Sequence, residues 1–406
     1  MKPMRISRRE FLKKAGLVSA GIVGTALSLN YILSYRNILP VSNETTIDTA
    51  LMKEAMFYER LKDNTLRCAT CPNRCVIDDE KRGICWTRIN IDEKIYSIVY
   101  GKPCAVHVDP IEKKPLFHFL TKSNAFSIAT AGCCLRCDYC QNWQISQAKP
   151  EDIPEDTVRG IISQLESMAG ISAQERDRLN PEDIAKFAGK LGCKSIAYTY
   201  TEPTIFYEYM YDTSRIAMNN EIKNLIVTCG YINEDPLNEL CKYLDGGNVN
   251  LKGFSDEFYK KLTHGYLQPI LDTMEILKER KKWFEITYLV IPGWSDDEQI
   301  DKFIKWVVDN LGVNYPIHFL RFSPAYKMKN VPPTPPEILE KARNNAIKEG
   351  INYVYIGNVP GSEGEHTYCP SCRKILIRRY GFIVIENNII NGGCKFCGKK
   401  IPGVWG

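Results

Sequence analysis

Sixteen cysteines in a chain of 406 residues constrain this sequence more than any other feature. A chain of this length buries enough core to fold without disulfides, so closely spaced thiols point to metal ligation. Three groups have ligand-like gaps: Cys68/Cys71/Cys75/Cys85, Cys133/Cys137/Cys140 and Cys369/Cys372/Cys394/Cys397. Cys104, Cys193, Cys229 and Cys241 stand singly, where a buried structural thiol is the ordinary expectation. The length exceeds one ordinary domain, so a large core with smaller attached modules is expected. A net charge of +5 is too mild to argue for nucleic acid or an acidic membrane surface.

The middle of the chain, 123–360, alternates short β-branched runs with longer amphipathic stretches, the pattern of β-α units around a parallel sheet. Strands are expected at 127–131, 194–200, 223–228, 248–252, 284–290, 316–321 and 353–356. Helices are expected at 204–218, 235–243, 268–281, 296–310 and 335–349, with prolines placed where a first helical turn accepts them. The fold class is α/β, a partial or full (β/α) barrel of TIM type. Function in such a fold gathers at the C-terminal ends of the strands, which predicts that the three-cysteine loop, Glu202 and Lys252 share one rim. A cysteine-rich module with short strands precedes the barrel at 50–122, and a second one follows it at 361–406.

The central thiols read Cys133-x-x-x-Cys137-x-x-Cys140 on a loop directly after a strand. Three thiolates hold three irons of a [4Fe-4S] cube and leave the fourth without a protein ligand, the open position of a catalytic metal site. Cys134 offers a second triad, Cys134/Cys137/Cys140. Structural zinc, or a closed cluster with a fourth protein ligand, is the bland alternative.

With Tyr139 before the last cysteine, this motif resembles the radical S-adenosylmethionine (SAM) superfamily. The phrases Val108-Asp109-Pro110-Ile111-Glu112-Lys113-Lys114-Pro115, Cys140-Gln141-Asn142-Trp143, Thr199-Tyr200-Thr201-Glu202-Pro203, Leu289-Val290-Ile291-Pro292-Gly293 and Tyr355-Ile356-Gly357-Asn358-Val359 are similar to its AmmeMemoRadiSam system radical SAM enzymes. That subgroup is related to the pyruvate formate-lyase type of glycyl-radical activating enzymes. The resemblance implies reductive cleavage of SAM at the open iron, hydrogen abstraction from a substrate it does not identify, and a low-potential electron donor such as ferredoxin or flavodoxin. It favours Cys133 over Cys134 as the first ligand, since Cys133 follows Gly132 as in the family, and it implies Tyr139 beside the adenine and Glu202 against the cofactor's amino group. The rivals are a packed aromatic for Tyr139 and a helix cap for Glu202. Where the family reads Asp-Leu-Lys, this chain has Asn250-Leu251-Lys252, and a neutral amide does not supply a carboxylate's charge. An activase acting on a partner protein is the alternative enzyme reading. A non-enzymatic carrier with several iron-sulfur centres is the alternative of another class.

The two CxxC pairs Cys369/Cys372 and Cys394/Cys397 have the ribbon spacing of a tetrahedral site for zinc or iron. Zinc and an auxiliary iron-sulfur cluster are equally compatible with Cys68/Cys71/Cys75/Cys85, and a cluster there could relay electrons inward. His107, His118 and His318 are expected near strand ends, with no assigned role. At the N-terminus, Ser7-Arg8-Arg9-Glu10-Phe11-Leu12-Lys13 looks like a twin-arginine signal, and the apolar residues 15–35 are long enough for a membrane anchor. Export or anchoring conflicts with chemistry that belongs to the cytoplasm, and the two expectations stand side by side.

Overall fold

The computed structural model describes residues 49, 52–172 and 176–406, all within one compact unit, Thr49–Gly406. The expected export signal and anchor lie outside the described residues. Among the described residues, no helix is long and apolar enough to cross a membrane.

An eight-stranded sheet forms the centre, with strands β1 (Ala105–Pro110), β2 (Asn124–Ala129), β3 (Ser195–Tyr198), β4 (Lys223–Thr228), β5 (Gly246–Leu251), β6 (Trp283–Val290), β7 (Ile317–Arg321) and β8 (Val354–Gly357). They lie side by side in chain order. β2 to β8 are parallel, and β1 runs antiparallel to β2. Consecutive parallel neighbours require a crossover each, and these carry helices α1 (Thr157–Ala169), α2 (Pro181–Lys190), α3 (Tyr207–Asn219), α4 (Glu234–Leu240), α5 (Gln268–Glu279), α6 (Asp297–Trp306) and α7 (Pro336–Lys348). Of the two expected closures the partial one is found: β1 and β8 are the two ends of the strand order, so the sheet is open.

Two sequence expectations are corrected. The strand in the segment before the barrel, placed by the sequence in the N-terminal module, is β1, the antiparallel edge of the main sheet. The single helix expected at 204–218 begins as a tighter turn, Pro203–Phe206, and becomes α-helical only at Tyr207. Proline at its first position supplies no N–H, and the short turn leaves Glu202 in extended backbone above it.

The two cysteine modules lie at opposite ends of this sheet. The N-terminal one consists of two small sheets, Lys53–Glu54/Lys94–Ser97/Arg88–Ile91 and Tyr58–Arg60/Leu66–Cys68/Val76–Ile77. It docks on residues beyond the C-terminal strand ends: Asn233, after β4, donates through Nδ2 to the carbonyls of Ala69 and Cys71, and Thr87 Oγ1 lies 2.9 Å from the Ile205 carbonyl, after β3. Arg88 and Glu208, both buried, form an ion pair at 2.5 Å between the module and α3.

The C-terminal module, with strands Thr367–Tyr368, Ile375–Tyr380 and Ile383–Asn387, docks on the link from β1 to β2, at the opposite end. Arg379 donates to the Phe117 carbonyl at 2.9 Å and lies over its ring, and Val404 accepts from the Leu120 backbone N–H.

Candidate functional site

The central loop leaves β2 at its C-terminal end. Gly132 takes φ +96° there, and a Cβ on it would stand 2.5 Å from the Cys85 carbonyl oxygen, so only glycine fits between the loop and the N-terminal module. Cys133 and Cys137 are buried and Cys140 is half-buried. Leu135 N–H points at Cys133 Sγ, 3.4 Å away, and Ser146 Oγ lies 3.1 Å from Cys140 Sγ. Burial pushes the thiols of Cys137 and Cys140 up, a cost that ligation to a cation reverses because the bound form is the thiolate.

Tyr139 is buried, with its ring 6.0 Å from that of Phe258. Its hydroxyl is buried and has no hydrogen-bond partner. A buried donor without an acceptor is costly, and a ligated thiolate or cluster sulfide beside Cys137 would satisfy it. The residues present therefore fit an anionic iron-sulfur group at this loop.

Glu202 is buried at the same rim, between β3 and β4. Its Oε1 accepts from Thr228 Oγ1 at 2.5 Å and Thr204 Oγ1 at 3.1 Å, and its Oε2 accepts from Cys229 N–H at 2.6 Å. No bond to the backbone of the following turn is formed, so the helix-cap reading is not what the side chain does. Burial pushes its carboxyl up against these donors. Lys252 follows β5; its Nζ is 3.4 Å from Asn250 Oδ1, and its charge acts on Cys137, Cys140 and Cys229. The three chemically loaded segments thus meet at one end of the sheet, as their positions after β2, β3 and β5 require.

Residues singled out only as a sequence phrase form a second polar cluster below the loop. Asp109 on β1 receives Lys113 Nζ at 2.8 Å, Lys114 Nζ at 2.6 Å, Ser127 Oγ at 3.0 Å and the Tyr200 hydroxyl. Burial would raise the Asp109 carboxyl, but Lys114, Lys113 and Tyr200 hold it well below the usual carboxylate range. Burial pulls Lys114 down to about 8 despite that partner. Asn142, just past Cys140, donates to the Tyr200 carbonyl, tying cluster to loop. Asn248 donates to the Pro115 carbonyl and accepts from Asn250, so this cluster continues along β5 to Lys252.

Sequence reasoning left Cys229 unassigned, yet it sits among Glu202, Lys252, Cys133 and Cys137. Its only signal was its place directly after β4. Cys134 is buried, and its carbonyl accepts from Asn73 Nδ2 of the N-terminal module at 2.7 Å. The histidines expected near the rim divide. His107 lies on β1 with its ring edge-on to Tyr200, whereas His118 and His318 lie at the other end of the sheet. There Glu285 accepts from His318 Nε2 and the His118 backbone N–H, both at 2.7 Å.

The C-terminal quartet closes tightly. All four sulfurs lie within 4.8 Å of one another, with Cys369–Cys397 at 3.6 Å and Cys372–Cys394 at 3.7 Å. A tetrahedron with metal–sulfur bonds of about 2.3 Å has edges of about 3.8 Å, so these thiols fit one four-coordinate ion. In the N-terminal quartet, Cys68 and Cys75 face each other across a hairpin, with Cys68 N–H donating to the Cys75 carbonyl at 2.9 Å and Cys71 in the turn between them.

Residues 127–307 match the Radical SAM superfamily. An uncharacterized protein of Methanocaldococcus jannaschii is 46% identical over 353 residues, covering 86% of this chain and 99% of that protein. The 4-hydroxyphenylacetate decarboxylase activating enzyme of Clostridium scatologenes is 27% identical over 131 residues, 31% of this chain and 41% of the enzyme. The pyruvate formate-lyase 1-activating enzyme of Escherichia coli is 23% identical over 172 residues, 41% of this chain and 61% of the enzyme. With a central cysteine loop, a parallel sheet and relatives that agree, the chain belongs to the radical SAM superfamily.

Proposed function

We propose that this chain is an enzyme that uses a [4Fe-4S] cluster held by Cys133, Cys137 and Cys140 to cleave SAM and remove a hydrogen atom from a substrate. The observation that supports this most is the meeting of that loop with Glu202 and Lys252 at the C-terminal ends of β2, β3 and β5. When bound, the cluster supplies an open iron for SAM and the electron that splits it into methionine and a 5'-deoxyadenosyl radical.

The chain's own residues do the rest. Three thiolates hold three irons and keep the fourth open. Tyr139 offers its free hydroxyl to the sulfur side of the loop. Glu202, fixed by Thr228, Thr204 and Cys229, presents a buried carboxylate to the amino group of SAM, and Lys252 presents the opposite charge to its carboxylate. Asp109, held by Lys114 Nζ and the Tyr200 hydroxyl, ties β1 to the segment after β3 and keeps the floor beneath the loop rigid. A low-potential one-electron protein such as ferredoxin or flavodoxin supplies the electron.

Two relatives are named as activating enzymes, which favours a second reading in which the substrate is a partner protein that gains a glycyl radical. The N-terminal residues 1–40 are proposed to direct export or anchor the chain at a membrane.

The test is anaerobic reconstitution of the full chain, reduction, addition of SAM and measurement of 5'-deoxyadenosine. Wild type is expected to form it, and Cys137→Ala to lose it by about a hundredfold or more. Cluster-loaded, reduced wild type that forms none would sink the proposal. A radical signal on a candidate glycyl-radical protein, seen only with this chain present, would decide for the second reading.

A further inference from the structure

We infer that Cys68, Cys71, Cys75 and Cys85 hold a second iron-sulfur cluster, set against the central loop where Asn73 meets Cys134 and Cys85 meets Gly132. The direction of electron flow rests on the function proposed above; the presence of the cluster does not.

Convergence is the first support. Cys68 and Cys75 are adjacent across a hairpin, with Cys68 N–H donating to the Cys75 carbonyl at 2.9 Å. Cys71 lies in the connecting turn, and Cys85 arrives from the following loop with its Sγ 3.3 Å from Thr87 Oγ1. Spacing separates this quartet from the C-terminal one. Among the described residues, the only ligand set drawn together within 4.8 Å is Cys369/Cys372/Cys394/Cys397. The N-terminal thiols, like the central triad, stand wider than one metal's shell, as a cluster requires when each thiolate binds its own iron.

Charge gives a second, independent support. Arg88 is 2% exposed and spends Nη1 on Glu208, while its Nη2 is buried with no partner. Cys68, Cys71 and Cys85 all feel its charge. An anionic cluster with bridging sulfides would supply the acceptor that this nitrogen lacks.

Direct contact between the two cysteine loops makes the arrangement a relay. Gly132 allows the Cys85 backbone against the central loop, and Asn73 Nδ2 donates to the Cys134 carbonyl at 2.7 Å. One electron from the low-potential donor reduces the outer cluster, and the same electron then reduces the inner one; no bond is made or broken.

The experiment reconstitutes full-length chain with iron and sulfide under argon and counts metal. Wild type should hold about eight irons, and Cys133→Ala/Cys137→Ala/Cys140→Ala about four, with a reduced-state paramagnetic signal that SAM does not alter. Cys75→Ala/Cys85→Ala should hold about four, with a signal that SAM does alter. Should the first variant fail to fold, the second alone decides. Wild type with about four irons overturns the cluster, as does one zinc per chain lost on replacing Cys75 and Cys85. Cys75→Ala/Cys85→Ala should keep the inner cluster and slow its reduction by the protein donor on the order of tenfold; an unchanged rate overturns the relay. Wild type with eight irons and no SAM cleavage would leave the second cluster standing and sink the proposed function instead.

Discussion

The two cysteine quartets cap opposite ends of one sheet and differ in almost every physical respect. The C-terminal four are drawn to single-ion spacing, with Cys397 exposed, and they dock on the link below β2, away from the catalytic rim. The N-terminal four are spread wider and lie against the central loop, where Asn73 donates to the Cys134 carbonyl. Ligand count is the same, so nuclearity and role are read from spacing and position. A compact tetrahedron far from the chemistry staples a tail, whereas a wider set against the reactive loop is placed to exchange electrons with it.

Anchoring differs as well. The N-terminal module is pinned by the Arg88–Glu208 ion pair, with the Met56 backbone N–H donating to the other oxygen of Glu208. The C-terminal module inserts Arg379, which finds the carbonyls of Phe117 and Glu365, the Thr367 hydroxyl and the Phe117 ring rather than a carboxylate. Burial lowers the Arg379 pKa, in line with a charge held by dipoles.

The largest expected effect comes from the compact quartet. A structural four-thiolate site contributes about 10–16 kcal/mol of folding free energy in small modules, more than a tail of this size supplies from its own core. Replacing Cys372 and Cys394 with serine should unfold the segment after residue 361, read as new protease cuts confined to it, while SAM cleavage persists. One metal per chain, lost in this variant, should accompany it. If SAM cleavage disappears while the sheet stays intact, the two modules are not functionally separate and the contrast fails.

The next effect tests the ionic anchor. Arg88→Met leaves Glu208 buried without its charge partner and should cost about 3–5 kcal/mol, measured by denaturant unfolding. Adding Glu208→Gln should recover part of that loss, because the stranded charge is removed. Retention of the second cluster's iron in the double variant would show that Glu208 and Arg88 hold the fold and that the cluster does not need the Nη2 donor. Loss of that iron alone would assign the donor to the cluster.

What was legible in the sequence follows from how local each signal is. Strand β4, 223–228, was read with both ends right because Lys223-Asn224 on one side and Thr228 on the other bracket the apolar run Leu225, Ile226 and Val227. The central triad was legible because its spacing is carried within eight residues. β1 was misplaced because a six-residue edge strand after a run of short strands looks like one more of them, and its partner β2 is set only by register. Glu202 was identified, but its fixing partners Thr228 and Cys229 lie 26 and 27 residues away and belong to the next strand. The Asn73–Cys134 contact was out of reach for the same reason: it joins two motifs that are each complete on their own.

The smallest expected effect concerns acid, and it bears on the lower end only. His118 is fully buried, with Nδ1 2.7 Å from the Pro402 carbonyl and Nε2 2.6 Å from the Tyr355 hydroxyl. That pairing suits a neutral ring that donates from Nδ1 and accepts at Nε2, and burial lowers the His118 pKa to about 4. In the unfolded chain a histidine titrates near 6.5, so between about 6.5 and 4 the unfolded state binds the extra proton and stability falls as pH falls. From pH 7 to pH 5 the His118 share of that loss is about 2 kcal/mol. His118→Asn, unfolded by denaturant at both pH values, should lose that share of the pH dependence, because asparagine does not titrate. Acid loss that is the same in the variant would move its origin to the thiolate sites, where protons compete with metal. The lower module would then be held through pH 5 by its ion rather than by the neutral ring on which Pro402 rests.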